Sequence, residues 1–166
     1  NFVKMDSGTF GIAVGDNGTI LHWNGVSWQS QTSSTSKDLN GVDLLSTTDA
    51  WAVGKNSEIV RWDGVSWTNY AAPLNAELLS ISMVATDDIH AVGGSGATIK
   101  WDGVAWFEVF SPTPSEPIYG VSMVNSTHGF AAGESGRIMH WDGVEWSDHI
   151  TPTGNRLNSV AMITAS

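Results

Sequence analysis

The chain has 166 residues, the length of about one domain, with 41% apolar residues, 14% charged residues and 18 glycines, as expected of a globular, turn-rich protein. The 17 acidic residues outnumber the 7 lysines and arginines, so the net charge of −10 argues against nucleic acid or an anionic membrane as a partner. No apolar run is long enough to insert in a membrane, the first residues do not predict a signal peptide, and the lack of cysteine excludes disulfides and thiol chemistry.

One sequence unit is repeated four times. Gly15, Gly54, Gly93 and Gly133 each close an Ala-Val-Gly or Ala-Ala-Gly, at spacings of 39, 39 and 40 residues. Each glycine is followed after eight residues by a first tryptophan and after five more by a second. The first tryptophans are Trp23, Trp62, Trp101 and Trp141, and the second are Trp28, Trp67, Trp106 and Trp146. The units span about residues 3–41, 42–80, 81–120 and 121–159, and residues 160–166 begin a fifth.

Each unit predicts four short strands. In the second unit they cover residues 40–45, 50–54, 59–62 and 65–70, separated by polar turn residues about every ten positions. The last two strands are joined by Asp63-Gly64, and Asp-Gly or Asn-Gly between β-forming residues is the strongest local signal for a hairpin. No segment has a helical period, so the pattern predicts an all-β chain.

Four antiparallel strands in about 40 residues, repeated along a chain, indicate the blades of a β-propeller. We therefore predict one domain over residues 1–166. A closed ring of four blades would leave residues 160–166 and the start of the first unit competing for one strand position. Three interpretations remain open: the chain is part of a larger propeller, the ring is completed by another copy of the chain, or the extra strand lies outside the ring. The first is favoured, because the chain begins and stops inside repeats.

The unit Ala-Val-Gly-x-x-Gly-x-Ile-x-x-Trp-Asp-Gly-x-x-Trp resembles the Asp-box, or bacterial neuraminidase-type (BNR), repeats. It looks especially like the propellers of the photosystem II stability factor type and of uncharacterised bacterial surface proteins. The resemblance implies that an acidic or amide residue caps the hairpin turn and that the second tryptophan packs into the blade. The capping positions are Asn24, Asp63, Asp102 and Asp142, and the packed rings are Trp28, Trp67, Trp106 and Trp146. The four-residue spacing from Asp to Trp is one shorter than in the usual box.

Two sets of repeated side chains have a structural and a functional interpretation. Tryptophans present in every unit favour packing. In the alternative, the first tryptophans of the units line clefts between blades and stack on sugars. The basic positions of the third strands are His22, Arg61, Lys100 and His140. They either pair with acidic groups of the surface or form a ring of cations that holds an anionic ligand such as an acidic sugar.

Two positions per unit vary and are candidates for loop or ligand-facing sites. One set is Ile12, Trp51, His90 and Phe130, and the other is Phe10, Asp49, Asp88 and His128. The five histidines lack the local spacing of a zinc or iron site, and no nucleophile elbow or phosphate loop is present. We predict no catalytic residue, no cofactor and no metal.

The sequence thus predicts a non-enzymatic binding module, best described as a protein-interaction or assembly scaffold on an exported or surface protein of a prokaryote. Glycosylation sequons at Asn17 and Asn125 weakly support that location. The alternative is a multivalent lectin, and a weaker one is a sialidase-like glycosidase fragment, although the three arginines occupy unrelated positions in the repeats. The expected partner is a protein or a glycan, with self-association as a further possibility to complete the ring.

Overall fold

A computed structural model of the chain describes residues 2–112, 115–149 and 151–163. It contains four antiparallel sheets of four strands, here called blades 1 to 4, in which the strands follow one another in chain order. Blade 1 consists of β1 (Phe2–Met5), β2 (Gly11–Val14), β3 (Ile20–Trp23) and β4 (Trp28–Ser30). Blade 2 consists of β5 (Leu39–Ser46), β6 (Asp49–Gly54), β7 (Ile59–Trp62) and β8 (Trp67–Asn69). Blade 3 consists of β9 (Leu78–Ala85), β10 (Asp88–Gly93), β11 (Thr98–Trp101) and β12 (Trp106–Glu108). Blade 4 consists of β13 (Ile118–Asn125), β14 (His128–Gly133), β15 (Ile138–Trp141) and β16 (Trp146–His149).

The predicted fold class is confirmed: the described chain is all-β, and each repeat forms one four-stranded antiparallel blade. The blades do not close into a ring. Single 3-10 turns, such as Asp16–Gly18, link the second and third strands of each blade. Within the described residues, no helix has the length and apolar character needed to cross a membrane.

The apolar core lies between the blades rather than inside one of them. One cluster joins blades 1 and 2 and includes Ile12 and Val42, and a second joins blades 2 and 3 around Trp51. A third contains Val92 of blade 3 with Trp141 and Trp146 of blade 4. Each blade therefore becomes stable only by packing against a neighbour.

Polar side chains in the first strands connect neighbouring blades. Asp43 Oδ2, Ser82 Oγ and Ser122 Oγ each accept a backbone N–H from the chain that follows, at 2.8, 3.1 and 3.0 Å. The donors are Met83, Met123 and Met162. Blade 1 has Lys4 at this position, and a lysine has no acceptor atom. Asp43 compensates, because its Oδ1 accepts the N–H of Leu44 at 2.9 Å and lies 2.8 Å from Lys4 Nζ.

Residues 157–163 lie against blade 4 as the first strand of a blade lies against the blade before it. The Leu157 N–H donates to Gly133 O at 2.9 Å, and the equivalent Leu39 N–H donates to Gly15 O at 3.0 Å. The contact of Met162 with Ser122 described above extends this match. The beginning of the fifth repeat thus occupies the place of a next first strand, although it forms no sheet of its own among the described residues.

Candidate functional site

The contact between neighbouring blades is built from the tryptophan pair of one blade and one face of the preceding blade. We call this receiving surface the acceptor face and define it by four repeated positions. The first is Phe10, Asp49, Asp88 and His128, and the second is Ile12, Trp51, His90 and Phe130. The third is His22, Arg61, Lys100 and His140, and the fourth is Gln31, Tyr70, Val109 and His149. Both variable positions and the basic position singled out in the sequence therefore belong to one surface.

Between blades 2 and 3 the acceptor face is aromatic. Trp51 is fully buried, and its ring centroid lies 5.1 Å from that of Trp101 and 5.4 Å from that of Trp106. Tyr70 contacts both Trp51 and Trp101, with ring centroids 4.7 and 5.5 Å apart. Tilted and edge-to-face contacts at these distances are the favourable arrangements of aromatic rings, so this interface is densely packed.

Between blades 3 and 4 the acceptor face is polar as well as aromatic. The buried ring of His90 contacts Trp141 and Trp146, with centroids 4.9 and 6.0 Å apart. Lys100 Nζ lies 5.3 Å above the Trp141 ring, a cation–π contact. Asp88 Oδ1 contacts both side chains: it lies 3.0 Å from Lys100 Nζ and 3.2 Å from His90 Nε2. The tryptophans of blade 4 therefore pack against the imidazole of His90 and the ion pair of Lys100 with Asp88.

Between blades 1 and 2 the acceptor face is mainly aliphatic. Ile12 and Phe10 lie in one apolar cluster with Trp62 and Trp67. The Trp67 Nε1–H donates to Gln31 Oε1 at 2.8 Å. The three interfaces thus use different residues at the same four positions, which explains why these positions vary while the tryptophans do not.

The first tryptophan of each pair is fixed within its own blade. Its indole N–H donates to a backbone carbonyl in the turn between the first and second strands, at 2.9 to 3.2 Å in all four blades. Trp101 and Trp141 are buried, whereas Trp23 and Trp62 are half-buried. Of the second tryptophans, Trp67, Trp106 and Trp146 are buried and only Trp28 is exposed. The first member of the pair is therefore the more exposed in blade 2 and the second member in blade 1.

The basic third-strand residues do not form a ring of free cations. Arg61 Nε lies 3.2 Å from Asp49 Oδ1, and Lys100 pairs with Asp88 in the same way. In blade 4, where a histidine replaces the acid, His140 Nε2 lies 2.8 Å from His128 Nδ1. In blade 1, His22 contacts the ring of Phe10 at 4.7 Å. Only Arg61 and Lys100 therefore make the contact with an acidic group that the structural interpretation of the basic position expects.

Burial of His90 predicts a loss of stability in mild acid. Desolvation lowers the pKa of His90 from its usual value of 6.5, although Asp88 acts in the opposite direction. The unfolded chain then binds a proton more readily than the folded chain, so the free energy of unfolding decreases as the pH falls below about 6.5. The decrease is at most about 1.4 kcal/mol per pH unit for one group.

Urea unfolding at pH 7.5 and 5.5 measures this loss in the original chain and in His90→Phe, which copies the residue at the same position of blade 4. We expect a smaller difference between the two pH values in the variant. Some difference remains, because desolvation and the neighbouring His128 and His149 also lower the pKa of His140. An unchanged difference would contradict the assignment to His90.

The hairpin turns between third and fourth strands are capped by the residue that the resemblance indicated. Asp63 Oδ1 accepts the N–H groups of Val65 and Ser66, both at 2.8 Å, and Gly64 has a φ of +94°. The same pair of hydrogen bonds is made by the residue at the equivalent position of the other blades: Asn24, Asp102 and Asp142. The backbone donors lower the pKa of Asp63, Asp102 and Asp142 below 3.8.

Removal of one cap tests its contribution. We expect Asp63→Ala to lower the melting temperature by about 2 to 4 °C, because two N–H groups of the turn lose their hydrogen bonds to the carboxylate and bind water instead. Asp63→Asn keeps an acceptor oxygen, as Asn24 does in blade 1, and should have a smaller effect. Differential scanning calorimetry compares the two variants, and equal melting temperatures would argue against the cap.

The tips of these hairpins carry an apolar residue that is almost fully exposed. Val26, Val65, Val104 and Val144 are 81 to 85% exposed, yet every blade has one. Next to Val144, a groove of about 440 Å³ runs between blades 3 and 4. Phe107 and Phe110 line it from blade 3 and are 41% and 69% exposed. Exposed apolar side chains grouped around a groove mark a candidate binding site.

The groove differs from one interface to the next. Between blades 1 and 2 a groove of about 360 Å³ is lined largely by Gln31, residues 32–34 and the hairpin that carries Val65. Between blades 2 and 3, Tyr70 lies on Trp51 and Trp101, at the position that Gln31 and Val109 hold in their blades. Sequence reasoning did not single out Phe107, Phe110 or the tip valines, although the valine of each Asn/Asp-Gly-Val was visible as a repeated position.

Blade 4 brings three histidines together on its acceptor face. The ring of His140 lies 4.9 Å from that of His128 and 5.6 Å from that of His149. Within residues 2–112, 115–149 and 151–163, however, no group of three or more histidine or acidic side chains has the arrangement of a metal site.

Comparison with solved structures places this arrangement among β-propellers. The chain is similar to YCF48 bound to a D1 peptide, with a TM-score of 0.74 and 18% identity over 97% of this chain and 56% of that one. It is similar to YCF48 from Cyanidioschyzon merolae, with a TM-score of 0.67 and 17% identity over 93% of this chain and 57% of that one. The WD40 repeats of RRP9 match with a TM-score of 0.71 and 12% identity, over 84% of this chain and 44% of that one.

These similarities show the propeller fold. The chain spans somewhat more than half the length of the first two structures. No family model and no curated protein matches it. The finer resemblance to Asp-box repeats stays a prediction.

Proposed function

We propose that this propeller is a non-enzymatic protein-binding module and that its ligand is an extended protein segment held in the groove between blades 3 and 4. The observation that carries the proposal is the combination of exposed Phe107 and Phe110 with the exposed tip of Val144 along one groove. Exposed apolar groups grouped around a groove mark binding sites for apolar side chains.

The net charge of −10 indicates the character of the ligand. An acidic protein attracts basic segments and repels acidic ones. The expected ligand therefore has one or two apolar anchor residues flanked by lysine or arginine. One of the similar structures contains YCF48 with a D1 peptide, so a peptide ligand is compatible with the fold.

The test is selection of random twelve-residue peptides displayed on phage against the immobilised chain, followed by fluorescence anisotropy with synthetic copies of the enriched peptides. We expect enriched peptides to carry a net positive charge and to bind at least about tenfold more weakly to Phe107→Ser/Phe110→Ser. Both residues are exposed, so the variant should fold. Val26→Ser removes an equally exposed valine from blade 1 and serves as the matched control, with unchanged affinity. No enrichment, or equal binding by both variants, would overturn the proposal.

A glycan array separates the lectin interpretation from this one. Five of the eight paired tryptophans are buried and Trp23 and Trp62 only half-exposed, which favours packing over stacking on sugars. Saturable glycan binding that Trp62→Ala abolishes in a folded protein would replace the proposed function with carbohydrate binding. The predicted location at the cell surface remains a prediction.

A further inference from the structure

The turns between first and second strands and those between third and fourth strands lie at the same end of every blade. A Cβ atom at Gly64 would lie 2.8 Å from Thr48 Cγ2, one at Gly103 would lie 2.9 Å from Asp87 Cβ, and the other two blades show the same approach. The four exposed valines therefore belong to one surface, which we call the hairpin end. It consists of residues 6–10, 47–48, 86–87, 126–127, 24–27, 63–66, 102–105 and 142–145.

The hairpin end is negatively charged, and its turns contain no lysine or arginine. Six of the seven cations form ion pairs, and the seventh, Arg156, lies 5.1 Å from the centre of the Tyr119 ring. Within the part of the chain that the structure describes, none of these ion pairs involves a turn of the hairpin end. The acidic residues of these turns are all exposed: Asp6, Asp63, Asp87, Asp102, Asp142 and Glu145. The surface is therefore apolar at the valines and negative beside them.

Blades 3 and 4, which enclose the groove lined by Phe107 and Phe110, hold four of these six carboxylates. Asp87 and Asp102 belong to blade 3, and Asp142 and Glu145 belong to blade 4. Blades 1 and 2 have one each. The carboxylates are therefore most numerous in the two blades that form the groove, and both of these blades contribute a pair.

Two of these carboxylates are held in position by their own turns. Asp102 Oδ1 accepts the N–H groups of Val104 and Ala105, both at 2.9 Å, and Asp142 Oδ1 makes the same two hydrogen bonds in blade 4. A carboxylate accepts about four hydrogen bonds, so Oδ2 of each side chain has room for a donor from a ligand. Because the turn already fixes the side chain, little conformational entropy is lost when that donor binds.

We propose that the hairpin end of blades 3 and 4 binds the basic residues of a protein segment whose apolar side chain lies in the groove. Lysine or arginine on one side of that anchor pairs with Asp87 and Asp102, and lysine or arginine on the other side pairs with Asp142 and Glu145. Both side chains combine an aliphatic stem with a charged head, and an exposed valine beside a carboxylate matches both parts. An acidic surface attracts such a segment and repels an acidic one. This inference rests on the proposed function and adds the residues that select the ligand.

Selection of the same phage library against the original chain and two double variants tests the proposal. Asp102→Asn/Asp142→Asn removes two charges beside the groove, and asparagine keeps the acceptor oxygen of the turn, as Asn24 does in blade 1. Asp6→Asn/Asp63→Asn gives the same net charge but changes blades 1 and 2, so it is the matched control. We expect the first variant to enrich peptides with fewer lysines and arginines than the original chain does, and the control to enrich the same peptides as the original chain.

Affinities measured by fluorescence anisotropy make the comparison quantitative. Peptides enriched on the original chain should bind about fivefold more weakly to Asp102→Asn/Asp142→Asn, because two exposed ion pairs are lost, and less than about twofold more weakly to the control. Salt screens exposed charges, so the difference should shrink when the ionic strength is raised from about 50 to 300 mM.

Methyl NMR of the exposed valines locates the bound peptide. Val104 lies at the hairpin end of blade 3, next to the cap of Asp102, so its methyl signals should shift on addition of an enriched peptide, whereas those of Val26 in blade 1 should not. Peptides that require Phe107 and Phe110 but bind both double variants equally, or that leave Val104 unshifted, would overturn this inference and leave the proposed function standing. If no peptide were enriched on the original chain, the proposed function would fail, and this inference with it.

Discussion

Substitution of Trp51 by alanine is expected to lower the free energy of unfolding by about 3 to 5 kcal/mol. The ring is fully buried between blades 2 and 3, in contact with Tyr70, Trp101 and Trp106, so its removal leaves a cavity that rigid neighbouring rings fill poorly. Arg61, whose guanidinium carbon lies 5.4 Å from the centre of this ring, loses a packing partner as well. Urea unfolding followed by circular dichroism measures the loss.

Two control variants make this prediction specific. Trp51→Phe keeps an aromatic ring and removes an indole N–H that has no hydrogen-bond partner, so it should cost less than half as much. Trp28→Ala removes a tryptophan that is 41% exposed and should have a small effect. If Trp51→Ala and Trp28→Ala lowered the free energy of unfolding equally, the interface between blades 2 and 3 would not have the importance assigned to it.

Replacement of Gly93 by alanine is expected to cost about 3 kcal/mol. Its backbone is extended, with a φ of −173°, so conformation is not the obstacle. A Cβ atom at this position would overlap the backbone carbonyl of Glu77 and lie 2.9 Å from the Leu78 Cα. The same carbonyl accepts the N–H of Gly94 at 2.8 Å. Relief of the overlap would therefore separate β10 from the chain entering blade 3.

The control is Gly8→Ala, because a Cβ at Gly8 would meet no atom within 4 Å. The melting temperatures of both variants compare a glycine that the close approach of the neighbouring backbone requires with one that has free space around it. A Gly93→Ala variant as stable as Gly8→Ala would show that the chain relaxes around the added atom. Gly54 occupies the equivalent place in blade 2 and meets the carbonyl of Asp38, so its substitution should repeat the result.

The blades were predictable from the sequence because the same weak signals occur four times. The predicted strands 40–45 and 50–54 correspond to β5 (Leu39–Ser46) and β6 (Asp49–Gly54), and the predicted strand 59–62 matches β7. The hairpin at Asp63-Gly64 lies where Asp-Gly indicated it, because glycine adopts the positive φ that the turn requires. Only the fourth strand, Trp67–Asn69, is shorter than the predicted 65–70, because Val65 and Ser66 belong to the turn.

The contacts between blades were not predictable in the same way. The sequence identified the position of Asp88, that of His90 and that of Lys100 as three separate sets. That His90 and Lys100 meet the next tryptophan pair, with Asp88 bound to both, depends on the pairing of β10 with β11, which places His90 opposite Lys100, and on the packing of one sheet against another. Repetition shows which positions are equivalent in different units, but it does not show which positions of one unit face the next.

The exposed valines illustrate a second limit. Every copy of the hairpin motif has a valine at the position of Val104 and Val144, just as every copy has the paired tryptophans. A repeated apolar residue ordinarily indicates packing. Burial separates the two cases: Trp106 is buried, whereas Val104 is 85% exposed. Only the direction of a side chain relative to the neighbouring blade distinguishes a buried repeated residue from an exposed one, and direction is a property of the folded chain.

The interfaces also have a direction along the chain. The tryptophan pairs of blades 2 to 4 each pack on a face of the preceding blade, so during synthesis the receiving surface emerges from the ribosome before the rings that cover it. A new unit can then fold onto a finished one. Propeller growth from the amino end toward the carboxyl end would therefore proceed with few exposed indoles at any moment, an advantage for a chain that contains nine tryptophans.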